Sequence, residues 1–145
     1  MNRKEFIKTC SYACIATVGN SLFMEGCATS THMISVKVVD KLITIKKSEF
    51  LTGNNKTPIR KFIIIQNAEY KFPICIYRIN ESEYSSLLME CTHNSCELQP
   101  QGTYLSCPCH GSEFNAKGEV QNPPAEKNLV SFTTTSDNEN IYIHL

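Results

Sequence analysis

Cys91-Thr92-His93-Asn94-Ser95-Cys96 and Cys107-Pro108-Cys109-His110-Gly111-Ser112, with thirteen residues between His93 and Cys107, are the strings that decide how this chain is read. Each offers one cysteine and one histidine and carries one cysteine more. A thiolate and an imidazole from each of two loops make four soft or borderline donors, suited to zinc or to a binuclear iron-sulfur centre; spacing alone does not choose. A tetrahedral zinc site would need neither member of the additional pair, Cys96 and Cys109, one beside each donor set, and these look like a disulfide. A bridge closing that loop would contribute about 3 kcal/mol in the chain-entropy picture and hold two mobile loops together. It also points to an oxidising compartment.

Around these strings the chain consists of short β-rich runs separated by turn residues, with few helical periods. This is the pattern of a small antiparallel sandwich or barrel, so the fold class is all-β. Residues 34–39 and 42–46 flank Asp40 and Lys41 as a tight hairpin. Residues 61–66 and 72–79 make the next two strands; Pro73 cannot donate to a ladder and belongs at an edge or a strand start. Residues 84–90 lead into the first cysteine string, and 129–135 pair with 141–145 across a turn at 136–140. Cys75, between Ile74 and Ile76, is expected as a buried, inert thiol. Tyr104 and Phe114 are expected to pack under the loops, and His32 and His144 to be ordinary surface or edge residues.

The 145 residues include 14 basic and 14 acidic side chains, 41% apolar residues, six glycines and six prolines. That excludes a disordered, collagen-like or coiled-coil chain and leaves no basic footprint for nucleic acid. A chain of this length supports one ordinary core without staples throughout, so its eight cysteines need a specific explanation. The residues argue for no Ser/His/Asp nucleophile, no phosphate-cradling glycine loop and no paired-carboxylate site.

The amino terminus has its own plan. Residues 2–8 carry three basic groups, Arg3, Lys4 and Lys8, with Glu5, Phe6 and Ile7 among them, and 9–24 are mostly small and apolar but interrupted by Ser11, Gly19, Asn20 and Ser21. That is the layout of an export signal, too short and too polar for a spanning helix of about twenty apolar residues. Gly26 and Cys27 followed by Ala28, Thr29, Ser30 and Thr31 look like a lipoprotein cleavage box, with Met24 where leucine is usual and Glu25 where a small neutral residue is usual. Cys27 would then carry the lipid, with 1–26 removed, 27–33 a polar tether, and 34–145 one domain on the periplasmic or cell-envelope side. Arg3 to Lys8 resembles a twin-arginine signal with Lys4 in the second arginine position, a route suited to folding around a metal cofactor before export. The mature chain would hold 11 basic and 12 acidic groups.

The paired cysteine-histidine strings resemble the two cluster-binding loops of Rieske iron-sulfur proteins, in the disulfide-containing form found in cytochrome bc-type quinol-oxidising complexes. The likeness covers about residues 89–129. It includes Val120 and, after two intervening residues, Pro123, Pro124 and Ala125, where that family has a Gly-Pro-Ala loop over the cluster; Pro123 stands at the glycine position. The resemblance implies an all-β Rieske sandwich over 34–145 with a small cluster-binding subdomain. It implies one [2Fe-2S] cluster, with Cys91 and Cys107 on one iron, His93 and His110 on the other, and Cys96 bridged to Cys109. Two neutral imidazoles leave the oxidised cluster uncharged where four thiolates would leave it doubly negative. The expected potential therefore lies in the range of about −150 to +300 mV, above the roughly −400 mV of all-cysteine plant-type ferredoxins. Ser112 matches a serine that donates to a bridging sulfide in high-potential members, whereas Phe114 stands where a tyrosine donates to a ligand sulfur, so an intermediate value is expected. Both histidine ligands can lose a ring proton on their exposed side, which couples reduction to proton uptake at alkaline pH.

The implied function is one-electron transfer between redox-protein donor and acceptor at the outer face of a membrane, with no substrate chemistry of its own. The alternative is the Rieske subunit of a quinol-oxidising bc-type complex, with the quinol hydrogen-bonded to an exposed histidine ligand. Asn94 and Ser95 stand where those subunits have leucine and glycine, and a lipid tether takes the place of their long transmembrane anchor. A ferredoxin feeding a ring-hydroxylating oxygenase fits less well with the export signal and the second cysteine pair. A structural zinc site would leave the protein colourless, and a surface-exposed binding lipoprotein whose metal centre only stabilises the fold, a different class, would not bleach and recover reversibly with a mild reductant.

Overall fold

The computed structural model describes residues 32–52, 60–68 and 70–145, and their regular structure is almost wholly strand. In chain order they are β1 (Met33–Ser35), β2 (Leu42–Lys46), β3 (Phe62–Gln66), β4 (Ile74–Arg78), β5 (Tyr84–Leu88), β6 (Gln99–Gln101), β7 (Tyr104–Ser106), β8 (Glu113–Asn115), β9 (Val120–Asn122), β10 (Ser131–Ser136) and β11 (Asn140–His144), with a 3-10 turn at Lys47–Phe50. One sheet runs β1-β3-β4-β5-β10-β11-β2; the other is the meander β6-β7-β8-β9.

The larger sheet has to curl. Laid flat, its two end strands would stand about 29 Å apart at ~4.8 Å per strand. Residues 36–41 alone join them, and six residues reach roughly 20 Å when fully extended. Here they also fold back: Val39 and Leu42 exchange backbone hydrogen bonds of 3.1 and 2.9 Å around Asp40 and Lys41, which have φ of 52° and 60°. That is the two-residue turn with both central residues left-handed that suits a twisted hairpin. The expected turn is present, but the expected first arm is not. Met33–Ser35 pairs in parallel with β3, Met33 opposite Ile64, because the outer edge of β3 has unpaired backbone groups that the returning chain satisfies.

Alternation distinguishes the strands with one solvated face from those covered on both. In β2 and β11, Ile43, Ile45, Ile141 and Ile143 are buried while Thr44 and Lys46 are exposed. In β3 and β4, by contrast, Ile63, Ile64, Ile65, Ile74, Cys75, Ile76 and Tyr77 are all buried. Odd and even positions serve different cores. Ile63, Ile65, Ile74 and Ile76 fill the inside of the curl with Phe50, Tyr84 and Leu88. Ile64, Cys75, Tyr77, Leu87 and Met89 face a second core shared with Leu98, Leu105, Phe114 and Leu129. The continuous apolar runs therefore mark where the four-stranded meander rests.

Most local expectations hold. Pro73 precedes β4, its carbonyl accepting the Met89 N–H at 2.9 Å. β10 and β11 pair with Ser136 opposite Ile141, and Asp137 Oδ1 accepts the Glu139 and Asn140 N–H groups at 2.8 and 2.7 Å in the turn between them. Cys75 has no exposed surface, and burial pushes its thiol far above the ordinary value, so it is inert at neutral pH. Tyr104 departs from expectation: it is exposed, and only its carbonyl is held, by the Tyr77 hydroxyl at 2.8 Å. His32 is half-buried against Glu49, Nε2 to Oε2 2.8 Å, whereas His144 is an exposed residue of β11, between β10 and β2. The export signal, Cys27 and nearly all of the tether lie outside the described residues.

Candidate metal centre

The two cysteine strings fold into loops of one backbone design. In the first, the Ser95 N–H returns to the Cys91 carbonyl (2.8 Å) and the Cys91 N–H reaches the Cys96 carbonyl (2.9 Å). In the second, the Gly111 N–H returns to the Cys107 carbonyl (3.0 Å) and the Cys107 N–H reaches the Ser112 carbonyl (2.8 Å). The fifth position of each is left-handed, φ 47° at Ser95 and 79° at Gly111. Glycine meets that demand without strain; a serine there works against its Cβ by about 1–2 kcal/mol. The first loop follows the end of β5 and is closed at its base by a bridge between Glu90 and Glu97. The second is the connection between β7 and β8.

This repeated turn sorts the donors by depth. Cys91 and Cys107 are 1% and 3% exposed and belong to the second core. His93 and His110 are exposed, their rings edge-to-face with centroids 4.9 Å apart. Cys96 and Cys109 form a disulfide between the loops, as expected. The sulfurs of Cys96, Cys107 and Cys109 lie within 4.8 Å of one another. That trio is the bridge packed against a thiol rather than a binding site, since disulfide sulfurs have no thiolate to offer.

A third segment closes over both loops. Ser112 is fully buried, and its Oγ accepts the Ala125 N–H at 3.0 Å, which leaves the hydroxyl hydrogen free to donate. Asn122 Nδ2 donates to the Gly111 carbonyl (3.0 Å) and Thr92 Oγ1 to the Lys127 carbonyl (2.6 Å), so residues 122–127 are fastened to each loop. Sequence reasoning missed Thr92 and Asn122; a lone threonine or asparagine gives no signal until its partner carbonyl is known. Phe114 packs beneath the loops as expected, in the same core as Cys91 and Cys107. Pro123 and Pro124 are exposed on top, joined by a cis bond.

The donor chemistry fits an iron-sulfur centre. Burial pushes the Cys91 thiol above its ordinary value, the backbone N–H groups of His93 and Asn94 pull it down, and the hydrogen-bonded Cys107 thiol beside it adds to the rise. Backbone N–H groups aimed at a buried sulfur are the environment that stabilises a metal-bound thiolate and tunes an iron-sulfur couple. The Cys91 sulfur and the likewise buried Cys107 sulfur, with the two exposed imidazoles, make up the mixed donor set that a binuclear cluster uses asymmetrically.

Compared with known proteins, residues 34–133 match the Rieske [2Fe-2S] domain. The chain belongs to the Rieske family. Its cofactor is the [2Fe-2S] cluster of that domain. Among curated Rieske relatives, the ubiquinol-cytochrome c reductase iron-sulfur subunit of Rickettsia conorii is 43% identical over 110 residues, covering 68% of this chain and 62% of that protein. The corresponding subunit of Rickettsia typhi is 49% identical over 43 residues, 28% of this chain and 24% of its own length. The chain thus spans under two thirds of the length of these curated relatives. Among solved structures, the plasma membrane Rieske protein of the cyanobacterium Synechocystis aligns with a TM-score of 0.52 at 27% identity, over 59% of this chain and 87% of that one. Among the described residues of this Rieske chain, no helix is long and apolar enough to cross a membrane.

Proposed function

We propose that this Rieske protein carries single electrons at the outer face of a membrane, with Cys91 and Cys107 holding one iron and His93 and His110 the other. The observation that carries the reading is the sorting of the four donors by depth, two buried thiols and two exposed imidazoles whose rings meet edge to face. When bound, the cluster supplies a one-electron couple of raised potential. The chain's own residues do the rest. The thiols anchor the centre in the core, the imidazoles bring its edge to the surface where a partner can approach, and the Cys96–Cys109 bridge keeps the two loops in register. The Ser112 hydroxyl, whose hydrogen is not used by the Ala125 bond, would donate a hydrogen bond to the bound cluster, which favours the reduced state.

The test is spectroscopic. The holoprotein should be red-brown, bleach with a mild reductant and recover fully on reoxidation, and the reduced form should give the lowered average g of mixed histidine and cysteine ligation. His93→Ala and His110→Ala should each abolish that signature, while His144→Ala leaves it unchanged. Retention of the colour and signal after loss of either candidate ligand would refute the assignment.

Export through residues 1–26, lipidation of Cys27 and the tether at 27–33 complete the proposal and rest on the sequence plan alone. Palmitate incorporation that persists in Cys27→Ser would refute them.

A second reading is favoured by the 43% identity to a ubiquinol-cytochrome c reductase subunit: this chain serves quinol oxidation within a larger complex. Against it stand Asn94 and Ser95, both exposed at the tip of the first loop, where an apolar quinol contact would be needed. A quinol:acceptor assay in membranes with and without this chain separates the two.

A further inference from the structure

Charge is divided unevenly between the two layers. Within residues 89–129, which build the centre and its support, Glu90, Glu97, Glu113, Glu119 and Glu126 stand against Lys117 and Lys127, a balance of −3. The other described residues hold eight lysines and arginines against six acids, a balance of +2. Lys117 is drawn toward the larger sheet, where its Nζ lies 3.2 Å from Glu83. That leaves Lys127 to offset five carboxylates, none of which has a cationic partner among the described residues.

The carboxylates follow the centre's architecture. Glu90 and Glu97 flank the first loop, Glu113 follows the second, and Glu126 lies in the covering segment; Glu97, Glu119 and Glu126 are exposed. The tip between them is uncharged, with exposed Asn94, Ser95, Pro108, Pro123 and Pro124 around the two imidazoles. A neutral contact surface with acidic surroundings complements a neutral contact surface with basic surroundings, and such fields raise encounter rates by about 10- to 10³-fold.

We propose that this face docks a one-electron carrier protein whose own contact surface is rimmed by lysines and arginines, a proposal that rests on the carrier reading above. In the exchange one electron leaves the reduced Rieske protein and one enters the oxidised centre of the partner. No covalent bond forms or breaks.

Stopped-flow oxidation of the reduced, cluster-loaded full chain tests it, with basic mitochondrial ferricytochrome c as the probe and the same cytochrome succinylated on its lysines as the charge-reversed comparison. Between about 10 mM and 0.5 M salt the screening length falls from roughly 30 Å to a few ångströms. The rate with the native cytochrome should drop about tenfold or more, and the rate with the succinylated form should rise. Glu97→Lys with Glu126→Lys moves the balance of the segment from −3 to +1 and should invert both salt dependences. Glu81→Lys with Glu139→Lys, on exposed residues of the larger sheet's turns, should leave rates within about twofold. Salt-independent rates, or equal effects from the two double variants, would overturn the proposal. If the first double variant loses its visible spectrum, the salt titration of the native chain decides alone. A reduced chain that even a neutral quinone mediator fails to reoxidise would instead refute the carrier reading itself.

Discussion

Replacing Ser112 by alanine separates two roles of one hydroxyl. Ser112 has no exposed surface, and its Oγ is the acceptor for the Ala125 N–H at 3.0 Å. Alanine leaves that buried backbone donor unpaired, which costs about 1–3 kcal/mol. For a domain of this size each kcal/mol lowers Tm by roughly 4 °C, so the holoprotein should melt about 4–12 °C lower. The second role is electronic. A hydrogen bond to a charged acceptor is worth about 1.5–3 kcal/mol and one to a neutral acceptor about 0.5–1.5. A donor aimed at the cluster therefore favours the reduced, more negative state by about 1–1.5 kcal/mol. At 59 mV per ~1.4 kcal/mol for one electron, the potential of Ser112→Ala should fall by roughly 40–65 mV. Voltammetry at fixed pH and thermal melting of the same sample measure both. A lower Tm with an unchanged potential would show that the hydroxyl serves only the covering segment and would refute the inward donor; a lower potential with an unchanged Tm would refute the buried bond to Ala125.

Phe114→Tyr adds a hydroxyl in the core that contains Cys91 and Cys107; by the same arithmetic the potential should rise by about 40–65 mV, and voltammetry showing no rise would count against the position as a donor site. Gly118→Ala should destabilise by about 2–3 kcal/mol, read from a urea midpoint at constant m: φ is +83° and an added Cβ would lie 2.8 Å from Leu87 Cδ2, so left-handed strain and overpacking combine. The Asp137 carboxyl is lowered from 3.8 to about 2, first by the Tyr142 hydroxyl and then by the Asn140 and Glu139 N–H groups. A value depressed by folding gives stability that is present above about pH 4 and lost as pH falls towards 2. Asp137→Ala should therefore lower Tm at pH 7, with the gap to the native chain closing over that acid range; a gap constant down to pH 2 would contradict it.

How much of this was legible beforehand depended on whether a signal was local. Asp40-Lys41 between alternating runs marked its own turn, and Cys96 and Cys109 could be paired because each stood beside a donor set. The placement of Met33–Ser35 was not legible, because a strand's partner is chosen by which edge is left unpaired in the finished sheet. Packing under the loops is the expectation for Tyr104 as for Phe114, but its side of β7 faces outward while Leu105 faces the core. Ser95 was noted for what it replaces, yet its left-handed φ emerges only once the two loops are seen to share a backbone design. Thr92 and Asn122 act through carbonyls 35 and 11 residues away, and no local pattern encodes such a pairing.

The depth of the four candidate ligands follows from the same architecture and needs no separate device. β3, β4 and β5 are apolar at consecutive positions, so they require a second layer, and the meander that supplies it brings the inner side of each loop against Met89, Leu105 and Phe114. Cysteine, among the most frequently buried side chains, fits that side; histidine, with a ring nitrogen that must find water or a partner, fits the other. Exchanging the two kinds would leave imidazole nitrogens in an apolar core without acceptors and would place thiols at the tip, open to oxidation. The division between sulfur below and nitrogen above is thus a packing result first. On the proposed ligand set its redox consequence would be an uncharged oxidised centre with its imidazole edge at the surface, within reach of a partner docked at the exposed tip.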